Sequence, residues 1–251
     1  MALPGLLAVL ASPLVMLPHD ANTNLLMLLR WVHFLAGILW IGLLYFFNLV
    51  NVPFMKQVDA GMKPTVFEHM TLRALWWFRW SSVVTVLAGI TYWMMIGSTD
   101  ARNGAASPGA AFGSFFAIWI VVFAIEYALI MVARIDKGVV LAVIMTVVVV
   151  AASWLFLRLN AHGWESNRLL AIGIGGGMGL VMMLNVWGII WRNNKKVIRG
   201  TLAGSPPANA AQLGRQAFLA SRTNAYLSLP LLFFMAAASH YPMFTNIVTS
   251  P

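Results

Sequence analysis

Cysteine is absent from this chain, and charged side chains make up only 9% of its 251 residues. Without a thiol it forms no disulfide, thiolate zinc site, iron–sulfur cluster or covalent c-type haem, and has no cysteine nucleophile. Any metal or cofactor must be held by His, Met, carboxylate or backbone groups. Soluble domains carry about 25% charged residues. A chain that is 61% hydrophobic, with mean hydropathy +0.81, is instead an integral membrane protein. Acid is scarcest of all, with 7 Asp and Glu against 16 Lys and Arg, for a net charge of +9. In so apolar a chain that excess reads as basic cytoplasmic loops, and no nucleic-acid partner is expected. There is no Ser–His–Asp order, HExxH or paired-carboxylate motif, no strand alternation and no internal repeat.

What remains is long apolar runs. They fall at 25–54, 76–98, 112–134, 137–158, 168–191 and 216–240, each near the length that spans a bilayer as a helix. The expected fold is an all-α integral membrane protein, a six-helix transmembrane bundle over 25–244. Residues 1–24 form an apolar, interfacial N-terminal segment or a short extra span, and 245–251 a short outer tail. The opening residues lack a basic n-region, which argues against a cleaved signal peptide. Connections 55–75 and 192–215 are expected to be cytoplasmic loops, the second a flexible polar linker. Alternate loops carry 12 of the basic residues and the opposite side 4, namely Arg30, Arg102, Arg158 and Arg168. The positive-inside rule then places both termini on the periplasmic side of a bacterial inner membrane.

Two histidines stand out within this topology. His33 lies early in the first run and His240 ends the last, so an up-and-down bundle brings both to the same outer face. Paired imidazoles at one depth can hold a haem iron axially, and haem b is the expected cofactor. Ala36 and Gly37, with Ala236, Ala237, Ala238 and Ser239, would let a flat macrocycle lie against the two helices. Arg30, one turn before His33, is the candidate for a haem propionate, and Arg158 and His162 could line the same face. Glu126 sits near the middle of the third run, where an ionisable group costs a few kcal/mol and is a functional candidate by default. It is the candidate proton carrier, with Tyr127 and Tyr92 as possible partners. Arg222 and Asn224 open the last run. Arg222 and Arg79 read as interfacial anchors, and His69 as a solvated loop residue. The glycines of IGIGGGMG (172–179) read as a close-packing surface, since no lysine accompanies them.

Four stretches, RWVHFLAGILWIGLLYFFNLVN (30–51), LWWFRW (75–80), NVWGIIWRNNKKVI (185–198) and SRTNAYLSLPLLFFMAAASHYPMF (221–244), resemble the membrane domain of bacterial cytochrome-linked urate hydroxylases, the urate oxidase N-terminal family. A looser similarity exists to bacterial membrane protoporphyrinogen oxidases, which bind haem b. The first resemblance implies a redox role with electrons leaving toward a cytochrome c on the outer face. This sequence holds no CxxCH, so the cytochrome is expected as a separate subunit. Where the family pattern reads LHWFKWEA, this chain reads LWWFRWSS, placing Trp76 for a His and Ser81 for a Glu. The reading is therefore a haem-b membrane redox protein, an oxidoreductase or an electron-transfer subunit of one. Its alternatives are a non-catalytic subunit whose Met182, Met183 and Trp187 meet other membrane subunits, or a small-solute transporter using Glu126.

Overall fold

The computed structural model describes residues 18–244, and every regular element among them is helical. Six long helices follow one another: α1 (Ala21–Gln57), α2 (Ala60–Asn103), α3 (Gly109–Val132), α4 (Gly138–Asn160), α5 (Asn167–Leu202) and α6 (Ala210–His240). Residues 1–17 and the expected outer tail lie outside the described residues. α1 starts at Ala21, within residues 1–24 of the expected N-terminal segment. Asp20 caps it by accepting from the Thr23 backbone N–H at 2.7 Å and the Thr23 hydroxyl at 2.8 Å. Those bonds hold the Asp20 carboxyl below its ordinary value.

Five helices, α1 to α5, are long and apolar enough to cross a membrane. The expected sixth span does not join that set. α6 has 31 residues, but its first half mixes Arg215, Gln216, Arg222 and Asn224 among the apolar ones. The expected loops also prove largely helical, with α2 beginning at Ala60 and α5 running on to Leu202. An apolar run ends where the side chains turn polar, but the helix continues while it has something to pack on. Past Trp191, α5 buries Asn193 and Ile198, and the Asn193 amide donates to Gln216 Oε1 of α6 at 3.1 Å. Gly204, at φ +68°, ends it by turning its own N–H and that of Ser205 back to the Thr201 and Gly200 carbonyls. What remains of the expected polar linker is 203–209.

α5 is the hub. In its most apolar window 78% of the residues are buried, against 17% for α1, and α2, α3, α4 and α6 all pack on it. The glycine run makes this possible, as its sequence implied. A Cβ on Gly173 would lie 2.4 Å from the Phe156 ring of α4, one on Gly177 1.9 Å from the Trp119 indole of α3, and one on Gly175 3.0 Å from Phe234 of α6. Three neighbours thus press rings or backbone onto a helix with almost no side chain of its own there. Because α5 is enclosed, Met182 is fully buried and Met183 and Trp187 partly so; they do not form a bare face for partner subunits. α1 rests mainly on α2 and reaches α6 through Tyr45–Ser228 and Asn48–Ser221, each at 2.9 Å.

Four helices contain a π-helical turn: Phe46–Asn51 in α1, Phe67–Thr71 in α2, Ala128–Val132 in α3 and Val186–Trp191 in α5. All four lie toward the end of the bundle that carries most of the Lys and Arg residues.

Candidate functional site

His33 is held by α2, not by α6. Its Nδ1 lies 2.8 Å from the Thr85 carbonyl. A carbonyl oxygen only accepts, so Nδ1 carries the proton and Nε2 keeps a free lone pair. The ring fits because Gly89 has no side chain: a Cβ there would stand 2.8 Å from Nδ1. Histidines that bind metals are oriented in this way, one nitrogen tied to a carbonyl and the other left as ligand.

His240 ends α6 on an exposed stripe with Leu229, Phe233 and Ala236. It borders a shallow groove of about 420 Å³ with Asn167 and Arg168, at the start of α5. Asn167 fastens that corner by donating to the Ala238 and Tyr241 carbonyls, both at 3.1 Å. The antiparallel register of α1 and α6 relates the two histidines in depth. Counted from Tyr45–Ser228, His33 stands opposite 240; counted from Asn48–Ser221, it stands opposite 236. One helical turn separates those answers. The His33 ring is held on α2, while His240 is exposed and borders the groove at the α5 N-terminus. The small residues near them are partly committed elsewhere. Gly37 packs toward the Thr85 methyl, at 3.6 Å from its Cβ position, and Ala237 and Ala238 are buried.

Arg30 donates to the Tyr92 hydroxyl and lies over the Tyr92 ring, 5.3 Å from its centroid. Tyr92 is therefore Arg30's partner and not that of Glu126. Arg158 lies over Trp154 at 5.9 Å, and His162 pairs with the buried Glu165 carboxylate at 3.0 Å. Arg222 stacks over Phe218 at 5.2 Å, and His69 is exposed as expected.

Glu126 is fully buried on the stripe of α3 that faces α5. Its Oε2 accepts from the Asn185 amide at 2.9 Å. The same amide nitrogen reaches Asn224 Oδ1 at 2.9 Å, and the Asn224 amide donates to the Met182 carbonyl at 2.9 Å. Three helices thus meet at one polar knot. The Thr223 hydroxyl of α6 also lies within hydrogen-bonding reach of the Glu126 carboxyl, while Asn185 Oδ1 has no protein partner there. Tyr127, the other expected partner, stacks instead against Phe123 at 5.9 Å.

A family model described as urate oxidase N-terminal matches residues 62–249. The chain belongs to the urate oxidase N-terminal family. The match covers α2 to α6, hence Glu126, Asn185, Asn224 and His240; α1, with Arg30 and His33, precedes it. It does not bear on the looser likeness to membrane protoporphyrinogen oxidases. No curated protein and no solved structure matches the chain. Within the family region, Trp76 is exposed and stacks edge-on against Trp77 at 5.0 Å, while Ser81 is buried and donates to the Phe78 carbonyl.

Two features of this region were missed in the sequence. Arg79, read as a simple anchor, is caged by indoles, its guanidinium carbon 4.1 Å from the Trp191 ring centroid, 4.8 Å from Trp187 and 5.1 Å from Trp80. Cation–π contacts of this kind contribute about 0.5–2 kcal/mol each. Trp191 and Trp187 lie four apart and Arg79 is more than a hundred residues away, so only the fold joins them. The second feature, partly outside that region, is a cavity between α1, α2, α5 and α6 lined by Asn48, Asn51 and Thr71, whose side-chain oxygens are buried without a protein partner.

Proposed function

We propose that this chain is a haem-b membrane redox subunit of urate-hydroxylase type, embedded through six spans with both termini on the periplasmic side. It would pass electrons to a separate cytochrome c at that outer face. The observation that carries this reading is His33, fixed in its notch at Gly89 with Nδ1–H on the Thr85 carbonyl and Nε2 free. What supports haem b is the donor set: a tautomer-locked imidazole from α1, a second from His240 within about a turn of the same depth, and no thiol anywhere in the chain. When bound, the haem supplies one-electron storage. Thr85 and Gly89 fix the His33 ring, and the exposed apolar side chains of α1 and α6, such as Phe34 and Phe233, offer dry flanks. Arg30, already turned onto Tyr92, is the cation nearest in sequence for a propionate. Glu126, in its knot with Asn185 and Asn224, is the proton carrier of the same scheme.

The test is a dithionite-reduced minus oxidised spectrum of protein purified from haem-replete cells. A low-spin b-type spectrum is expected, with His33→Ala or His240→Ala giving high-spin or haem-free protein. Gly89→Ala should shift the His33 ring and lower occupancy without removing a ligand. Haem-free wild-type protein would end this reading and leave the non-catalytic subunit as the better account of the fold.

A further inference from the structure

The end of the bundle away from His33 holds a second site. A cavity of about 130 Å³ lies between α1, α2, α5 and α6, walled by apolar groups that include Phe47, Leu75 and Phe218. Three side-chain oxygens at it have no partner: Asn48 Oδ1, Asn51 Oδ1 and Thr71 Oγ1. Asn48 is only 4% exposed and Thr71 only 7%. Buried polar atoms are nearly always paired, and leaving one unpaired is costly. Three beside one cavity are a requirement for something to fill it.

The shape of the backbone points the same way. Phe47, Asn48 and Asn51 belong to the π-turn of α1, Thr71 closes that of α2, and Ile190 lies in that of α5. Three of the four π-turns therefore converge on this space. Such turns are frequent at functional sites.

The chemistry of the occupant follows from what lines the space. The orphaned atoms are two amide oxygens and a hydroxyl, so the occupant must donate hydrogen bonds. The Asn48 amide nitrogen is already committed, to the Leu44 carbonyl and Ser221 Oγ, both at 2.9 Å. No lining residue is charged, so an ion would be desolvated without a counter-charge. A cation is disfavoured further by Arg215 and Arg222, which adjoin the lining residues Gly214 and Ser221 in sequence. The volume is close to that of cavities that take one six-membered ring, about 150 Å³. We propose that this is a binding site for a small neutral molecule of single-ring size that carries N–H donors on an apolar body. The proposal does not rest on the haem reading, and the two stand or fall separately.

Equilibrium dialysis of the full chain in detergent with radiolabelled uracil tests it, uracil being neutral, flat and of that size with two N–H groups. Saturable binding is expected. Unlabelled uracil should compete, while 1,3-dimethyluracil, which lacks both N–H groups, and potassium chloride should not. Thr71→Val keeps shape and removes one acceptor, and should weaken binding about tenfold, as should Asn51→Leu. Thermal melting of each variant checks that it is folded, and the two variants act independently. Absence of saturable binding, equal competition by dimethyluracil, displacement by potassium, or unchanged affinity in a folded variant would overturn the proposal.

Discussion

Replacing Gly177 by alanine adds one methyl group where the structure has no room for it. The new Cβ would lie 1.9 Å from both Cε2 and Nε1 of Trp119 and 2.3 Å from Cδ1. Ordinary carbon contacts lie at about 3.5–4.0 Å, so the indole and α5 must part by about 1.5 Å or more. Trp119 is fully buried and has no open side to retreat into. Overpacking of this kind costs about 1–3 kcal/mol, and the rigid ring places this site at the upper end. The adjacent glycine is the control. A Cβ on Gly176 would meet only the Ile172 Cγ2 at 3.7 Å and the Met235 Cε at 3.8 Å, normal contacts. Alanine suits a helix better than glycine by about 1 kcal/mol. Gly176→Ala should therefore be neutral or stabilising; the helix gain is common to both variants, so Gly177→Ala should fall below it by the overpacking cost alone, about 1–3 kcal/mol. Unfolding in mixed micelles, followed by circular dichroism against SDS mole fraction, measures the difference. Trp119→Leu should recover part of the Gly177→Ala loss, because it removes the ring that the methyl strikes. Equal midpoints for the two alanine variants would refute the packing argument.

Glu126→Gln keeps the bond with Asn185 and should assemble normally. If Glu126 moves protons, this variant loses the pH dependence of redox turnover, whereas Glu126→Leu should also lower stability by about 1–3 kcal/mol through the lost buried hydrogen bond. A Gln variant with wild-type pH dependence would leave Glu126 a purely structural role. Reporter fusions after residues 60, 136 and 205 should report cytoplasm and a C-terminal fusion periplasm; a cytoplasmic C-terminus would place His240 on the wrong face for an outer cytochrome. Urate-dependent reduction of added cytochrome c should be weak, since Trp76 and Ser81 stand where the resemblance leads one to expect a His and a Glu, and robust turnover would show that those groups are dispensable.

The helices, the family and the role of the glycine run were legible because each is written locally, in apolar length, in a contiguous motif or in small residues side by side. Partnerships were not. Thr85 lies 52 residues from His33, and Asn185 lies 59 from Glu126, so nothing local announces either bond. Tyr127 suggested itself for Glu126 only by adjacency, and adjacent helical residues point to different faces. The loops were misjudged because hydropathy records where a helix leaves the apolar layer. It does not record where the backbone stops coiling, which caps and packing such as Asn193 on Gln216 decide.

Each π-turn carries one residue more than a continuous α-helix needs. That surplus rotates everything beyond it by about 100°, so the two parts of α1, α2 and α5 can satisfy different neighbours with one rod. It also marks where length is negotiable. Deleting a single residue within Phe46–Asn51 or Val186–Trp191 would restore ordinary α-helix locally and turn the remainder as a unit. The same deletion near Gly177 would throw every glycine out of line with its ring. Relatives of different length should therefore gain and lose residues at the turn of α3, which does not line the cavity, while the middle of α5 stays fixed.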